Sequence, residues 1–73
     1  MAETSEILAE MVASVLSIAV APGEQVDAGT VVILLESMKM EIPMLAERGG
    51  TVTAIKVTEG DVVQDGDVLV VLD

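Results

Sequence analysis

The sequence predicts an all-β domain, a sandwich or small barrel, and three observations point there. The chain of 73 residues is 52% hydrophobic, rich in Val, Ile and Leu, with no aromatic residue, and a β-branched bias favours strands. Its apolar runs are short, with turn signals about every eight residues, the spacing of sandwiches and barrels. The third observation is an internal repeat at the distance from Val15 to Val52, 37 positions. Val15, Ile18, Val20, Gly23, Val26, Gly29, Val31 and Leu35 recur as Val52, Ile55, Val57, Gly60, Val63, Gly66, Val68 and Leu72. Two glycines in register with six apolar residues mark a structural repeat. Two copies of one β-unit imply two similar sheets related by a pseudo-two-fold axis.

Along the chain, residues 1–8 are expected to form a flexible N-terminus and residues 9–73 the domain. The opening Met1-Ala2-Glu3-Thr4-Ser5-Glu6 is polar and chain ends fray. From Ile7 the signals conflict. Apolar pairs at Ile7/Leu8, Met11/Val12 and Val15/Leu16 fit an amphipathic helix, whereas Val15, Ile18 and Val20 favour a strand. The repeat resolves the second half of that segment as a strand over Val15–Val20. Alternation then places Leu16, Ile18 and Val20 in the core and Ser17 and Ala19 outside. Pro22-Gly23-Glu24 is a turn, Gln25-Val26 a short link, Asp27-Ala28-Gly29 a second turn, and Val31–Glu36 a strand. A further apolar run follows at Ile42-Pro43-Met44-Leu45, and Glu47-Arg48-Gly49-Gly50 connects to the second unit. There the strands are Thr51–Val57, with Ile55 and Val57 inward and Ala54 and Lys56 outward, the short Val62-Val63, and Val68–Leu72. Asp65-Gly66-Asp67 is a turn, because the other spaced oxygens of a calcium loop are missing.

Composition removes several function classes. There is no Cys and no His, hence no metal-ligand cluster, no thiol nucleophile and no imidazole base. Gly49-Gly50 lacks the lysine and the strand-to-helix setting of a phosphate loop. No catalytic residue is assigned, and a stand-alone enzyme is not expected. A net charge of −10 leaves no basis for nucleic-acid contact or for an anionic membrane surface. That acidity keeps a small domain soluble or steers it toward a basic face on a partner enzyme. No apolar stretch reaches the length of a membrane helix, and the acidic start is no signal peptide. A soluble cytoplasmic monomer is the expectation.

One stretch breaks a local rule. Between Val31–Leu35 and Ile42–Leu45 lies Glu36-Ser37-Met38-Lys39-Met40-Glu41. A tight strand connection normally uses Gly, Asn or Asp, whose backbones accept φ > 0. Two methionines and a lysine stand there instead, and a rule broken without structural gain marks a functional site. Under the repeat, Lys39 has no partner within either unit, so it sits at the joint between halves, away from both termini. A free lysine amine is protonated near neutral pH and is not nucleophilic. Any acylation of Lys39 therefore depends on a partner enzyme that removes the proton and brings an activated acyl group.

At these residues the sequence resembles the biotinyl/lipoyl carrier domain family. The resemblance rests on Glu36-Ser37-Met38-Lys39-Met40-Glu41, preceded by Pro22-Gly23-Glu24-Gln25-Val26-Asp27-Ala28-Gly29 and followed by Gly50-Thr51-Val52. Lysine between two methionines looks like the biotin version of the motif; lipoyl carriers more often show Asp-Lys-Ala. The length resembles small stand-alone biotin carboxyl carrier proteins. The resemblance implies a flattened β-barrel, a barrel-sandwich hybrid of two four-stranded antiparallel sheets, with the modified lysine at a hairpin tip. It implies covalent biotin on Lys39, attached by a biotin protein ligase through the biotinyl adenylate. It further implies carboxyl shuttling between biotin carboxylase and carboxyltransferase subunits, with Met38 and Met40 as flanking recognition residues.

Three departures stand beside it. The family often has Pro-Met-x-Gly where this chain has Glu10-Met11-Val12-Ala13, so Ala13 stands where the repeat has Gly50. No extra loop separates Ile18 from Val26, so the thumb of some carriers is absent. The domain is expected to have no linker before it and to dock by diffusion or through another subunit. Two other readings are a lipoyl carrier domain and an unmodified barrel-sandwich adaptor.

Overall fold

A computed structural model describes residues 4–73. Eight strands follow in order: β1 Ser5–Leu8, β2 Ala13–Ile18, β3 Gln25–Val26, β4 Val31–Ser37, β5 Met40–Leu45, β6 Gly50–Ile55, β7 Val62–Val63 and β8 Val68–Leu72. They form two antiparallel four-stranded sheets, ordered β1-β8-β6-β3 and β5-β4-β2-β7. The described residues contain no helix, so the helical reading of Ile7–Leu16 gives way to β1 and the start of β2. Among the described residues no helix is long and apolar enough to cross a membrane.

The repeat takes in all eight strands, and only the tip over residues 37–40 falls outside it. Strands β1 to β4 correspond to β5 to β8, and the hydrogen bonds come in matched pairs. The Gly23 N–H donates to Val52 O at 2.7 Å and the Gly60 N–H to Val15 O at 2.9 Å. The Ala9 N–H donates to Asp67 O at 2.8 Å and the Ala46 N–H to Thr30 O at 2.9 Å. Each sheet takes its two central strands from one half and its two edge strands from the other. The halves therefore interlock, and neither can complete a sheet alone.

One core lies between the sheets. It is built from equivalent residues of both halves, including Val15 with Val52, Ile33 with Val70, and Leu35 with Leu72. Burying an aliphatic side chain of this size is worth about 1.5–3 kcal/mol. Among the described residues no polar or charged residue is buried, so no desolvated group offsets that gain. This is how a chain without disulfides reaches stability at a length where single cores are marginal.

Two expectations change. The flexible segment expected over 1–8 does not hold for residues 5–8, which are strand β1; residues 1–3 lie outside the described residues. Ser5 opposes Leu72 and Ile7 opposes Val70, and Ile7 is buried. A polar start with one inward apolar residue is what an edge strand needs. A sequence signal existed: Leu8-Ala9-Glu10 recurs as Leu45-Ala46-Glu47 at the same spacing.

The second correction is Leu16, expected in the core but 40% exposed. Val15 opposes Leu35 and Ser17 opposes Leu34, which leaves Leu16 as the extra residue of a β-bulge. A bulge resets the alternation, so Val15 and Ile18 face inward and Leu16 outward. Thr53 is the matching extra residue in β6, between Val52 and Ala54. Of the other assigned faces, Val20 is buried, Ile18, Ile55 and Val57 pack on the core, and Ala19 and Lys56 are exposed, while Ser17 and Ala54, assigned outward, are half-buried.

Candidate functional site: the hairpin between β4 and β5

Strands β4 and β5 pair from Val31 opposite Leu45 to Ser37 opposite Met40. Pairing this far leaves only Met38 and Lys39 to turn the chain. Both take positive φ, 54° at Met38 and 65° at Lys39. Two central residues with positive φ make the type I′ geometry, which matches strand twist. Each non-glycine residue there costs about 1–2 kcal/mol. Every other described residue with positive φ is a glycine: Gly23, Gly29, Gly60 and Gly66. The fold thus uses glycine at four of its turns and withholds it at the one that carries a lysine.

The tip is fully presented. Lys39 is exposed, Met38 is 89% exposed and Met40 60% exposed. Methionine is ordinarily a core residue, and Met44 in the same strand is indeed buried. Below the tip, Leu35 is fully buried, so the turn stands on a rigid base. Glu36 opposes Glu41, which sets two exposed carboxylates directly beneath the turn. The pseudo-two-fold carries this hairpin onto the place where Ser5 and Leu72 bring the chain ends together. Lys39 therefore has no counterpart, as the sequence indicates. The chain passes from first half to second here.

The three site residues expected from sequence, Met38, Lys39 and Met40, all lie in or beside this one turn. Lys56, the other lysine, lies just after β6 and its N–H donates to Leu69 O at 2.9 Å, so its backbone is tied into the sheet. Among the described residues no group of acids could hold a metal ion. A groove of about 500 Å³ runs between the facing edge strands β1 and β5, and Lys39 does not line it. The tip itself, Met38 to Met40, is exposed at every residue. Chemically it can offer one primary amine at a fixed place, and a reagent must be brought to it.

Sequence reasoning missed the exposed apolar residues Val12, Leu16 and Val62, on or next to strands β2 and β7 of the sheet that carries this hairpin. Comparing the two halves position by position would have shown them.

Comparison with known proteins agrees with this geometry. Residues 2–72 match the biotin/lipoyl family described as biotin-requiring enzyme. A biotinylated protein TB7.3 homolog of Mycobacterium leprae is 51% identical over 67 residues, covering 92% of this chain and 94% of the relative. A biotin/lipoyl attachment protein of Bacillus subtilis is 46% identical over 63 residues, covering 86% of each. The crystal structure of urea carboxylase from Kluyveromyces lactis superposes with a TM-score of 0.92 at 30% identity, covering 100% of this chain and 6% of that one. The match over residues 2–72 and the similarity to these small relatives over most of their length, on the interlocked sheets and lysine hairpin described above, show that this chain belongs to the biotin/lipoyl family.

Proposed function

We propose that the protein is a biotin carboxyl carrier, a non-enzymatic subunit acting as a cytoplasmic monomer, with Lys39 as its attachment residue. The observation that supports this most is the β4–β5 turn, where Lys39 and Met38 hold positive φ that glycine would accept without strain. The strain is offset by the strand pairing beneath it and serves presentation. In the acylation step the Lys39 Nζ, once a ligase has taken its proton, attacks the carboxyl carbon of an adenylated biotin. The N–C bond would form, the bond to the adenylate oxygen would break, AMP would leave, and the second amine proton would pass to the ligase or to solvent. Biotin held there as an amide supplies the ring nitrogen on which a carboxyl group travels. The remaining work belongs to the chain's own residues. β4 and β5 keep the attachment point rigid, and Met38 and Met40 offer adaptable thioether contacts to visiting active sites. Biotin carboxylase and carboxyltransferase subunits are the partners on this reading. Once the carrier is docked, tethering makes each transfer an encounter at high effective concentration.

Intact mass after incubation with biotin protein ligase, ATP and biotin tests the assignment. The wild type and Lys56→Arg gain one biotinyl group, and Lys39→Arg gains none. A biotinyl gain that persists in Lys39→Arg refutes the site, and a lipoyl gain in place of biotinyl, when the chain is made in cells holding both ligases, refutes the cofactor.

A further inference from the structure

The two halves of this chain act as a control for one another. Both sheets expose an outer face built from equivalent backbone positions, so a side chain on one can be compared with its twin on the other. On the Lys39-bearing sheet, Leu16 is 40% exposed, Val62 69% and Val12 64%. Their twins are Thr53, Gln25 and Gly49, all exposed. The fold thus accepts polar residues at two of these positions and glycine at the third. Exposed Val and Leu here are not a demand of the architecture.

These residues are also in one place. Val62 and Ser14 oppose each other across β7 and β2, Ser14 opposes Glu36, and Glu36 opposes Glu41. That row crosses the sheet next to the Ser37–Met40 pair. Residues directly opposite in a ladder project to the same face. Ala13 and Val15 are buried, so Ser14 between them faces outward, and Val12, in the bend just before β2, is itself exposed. The bulge turns Leu16 to that side as well. The result is an apolar strip from Val12 through Val62 to Leu16, bordered by Glu36, Glu41 and Asp61, all exposed.

We infer that this strip is the docking surface for the enzyme that acylates Lys39, a reading that rests on the carrier function proposed above. Unmodified lysine reaches only the length of its four-carbon stem. An enzyme that acylates that amine must bring its own surface against the flank of the hairpin. Enzymes that act on the end of the longer acylated arm need no such close approach. The acidic border selects a complementary face, with apolar side chains at its centre and Lys and Arg at its rim. The net charge of −10 steers that encounter.

The test exchanges residues between the halves, so that each new side chain is one the fold already holds at the equivalent position. Leu16→Thr with Val62→Gln is compared with the wild type and with Thr53→Leu plus Gln25→Val on the other sheet. Biotinylation kinetics with purified ligase, ATP and biotin are measured with the carrier as varied substrate. The L16T/V62Q double variant raises KM for the carrier about tenfold with kcat unchanged, the pattern of lost uniform binding. The opposite-sheet variant leaves KM as it was, and both keep the wild-type unfolding midpoint. An unchanged KM in L16T/V62Q overturns the docking surface while normal biotinylation of Lys39 preserves the carrier reading. A wild type that gains no biotin withdraws both. A wild type that sediments as a dimer, and becomes a monomer in L16T/V62Q with KM unchanged, assigns the strip to a second copy of this chain instead.

Discussion

Ser37 and Met40 oppose each other across β4 and β5, and this one pair forces Met38 and Lys39 into the left-handed region. A longer loop would have let both residues relax. The hairpin therefore stores local strain at Lys39, the attachment point proposed above, in the way functional turns often do.

That strain is measurable. Met38 has φ 54°, a conformation that Asn tolerates better than Met. Met38→Asn is expected to stabilise the fold by about 0.5–1 kcal/mol, read as a higher urea midpoint at constant slope. A midpoint at or below the wild type would show that the turn is not strained.

On the carrier reading proposed above, position as well as residue type defines the acceptor. The double variant Lys39→Met with Met40→Lys moves the amine from the apex onto β5, where Met40 is paired with Ser37. Streptavidin detection after ligase treatment is expected to fall about a hundredfold or more, because misplacement from the productive geometry costs on that order. Full labelling would mean that the ligase reads any lysine near the tip.

Ile7 tests the N-terminal strand. It is buried and opposes Val70. Ile7→Ala is expected to destabilise by about 2–4 kcal/mol, seen in chemical denaturation. A change near zero would restore the flexible segment expected over residues 1–8.

Gly50 and Ala13 form a matched test. A Cβ on Gly50 would lie 2.9 Å from the Asp73 carbonyl oxygen, a backbone atom that cannot swing away. Gly50→Ala is therefore expected to cost about 1–3 kcal/mol. Ala13, its twin, already holds a methyl group that is 5% exposed, so Ala13→Gly loses that packing and costs about 1 kcal/mol. Thermal unfolding of both variants decides it. Equal stability of Gly50→Ala and the wild type would show that the β8 end gives way freely.

The repeat made most of the fold legible. Val15–Leu35 and Val52–Leu72 match in glycine spacing because the same turns must take φ > 0 in both halves, and only glycine does so cheaply. β3, β7 and β8 emerge with the expected boundaries. β1 stayed hidden because an edge strand with one buried residue has little apolar pattern, although Leu8-Ala9-Glu10 repeats Leu45-Ala46-Glu47. Leu16 was misplaced because a bulge leaves no mark in residue type; Leu16 and Thr53 share the position and share no chemistry.

By itself the sequence determined the all-β class, the two-fold repeat, and Lys39 between Met38 and Met40 as the point without a counterpart. Those follow from residue type and spacing, which survive in one dimension. Only the tertiary structure decided that the halves interlock, that residues 5–8 close a sheet, and that Leu16 turns outward beside Val62. These depend on which backbone groups find partners far along the chain, and a pairing register is a property of two strands together. The tip at Lys39 belongs to both accounts. Its chemistry is written in three residues, and its rigidity comes from the ladder that ends at Ser37 and Met40.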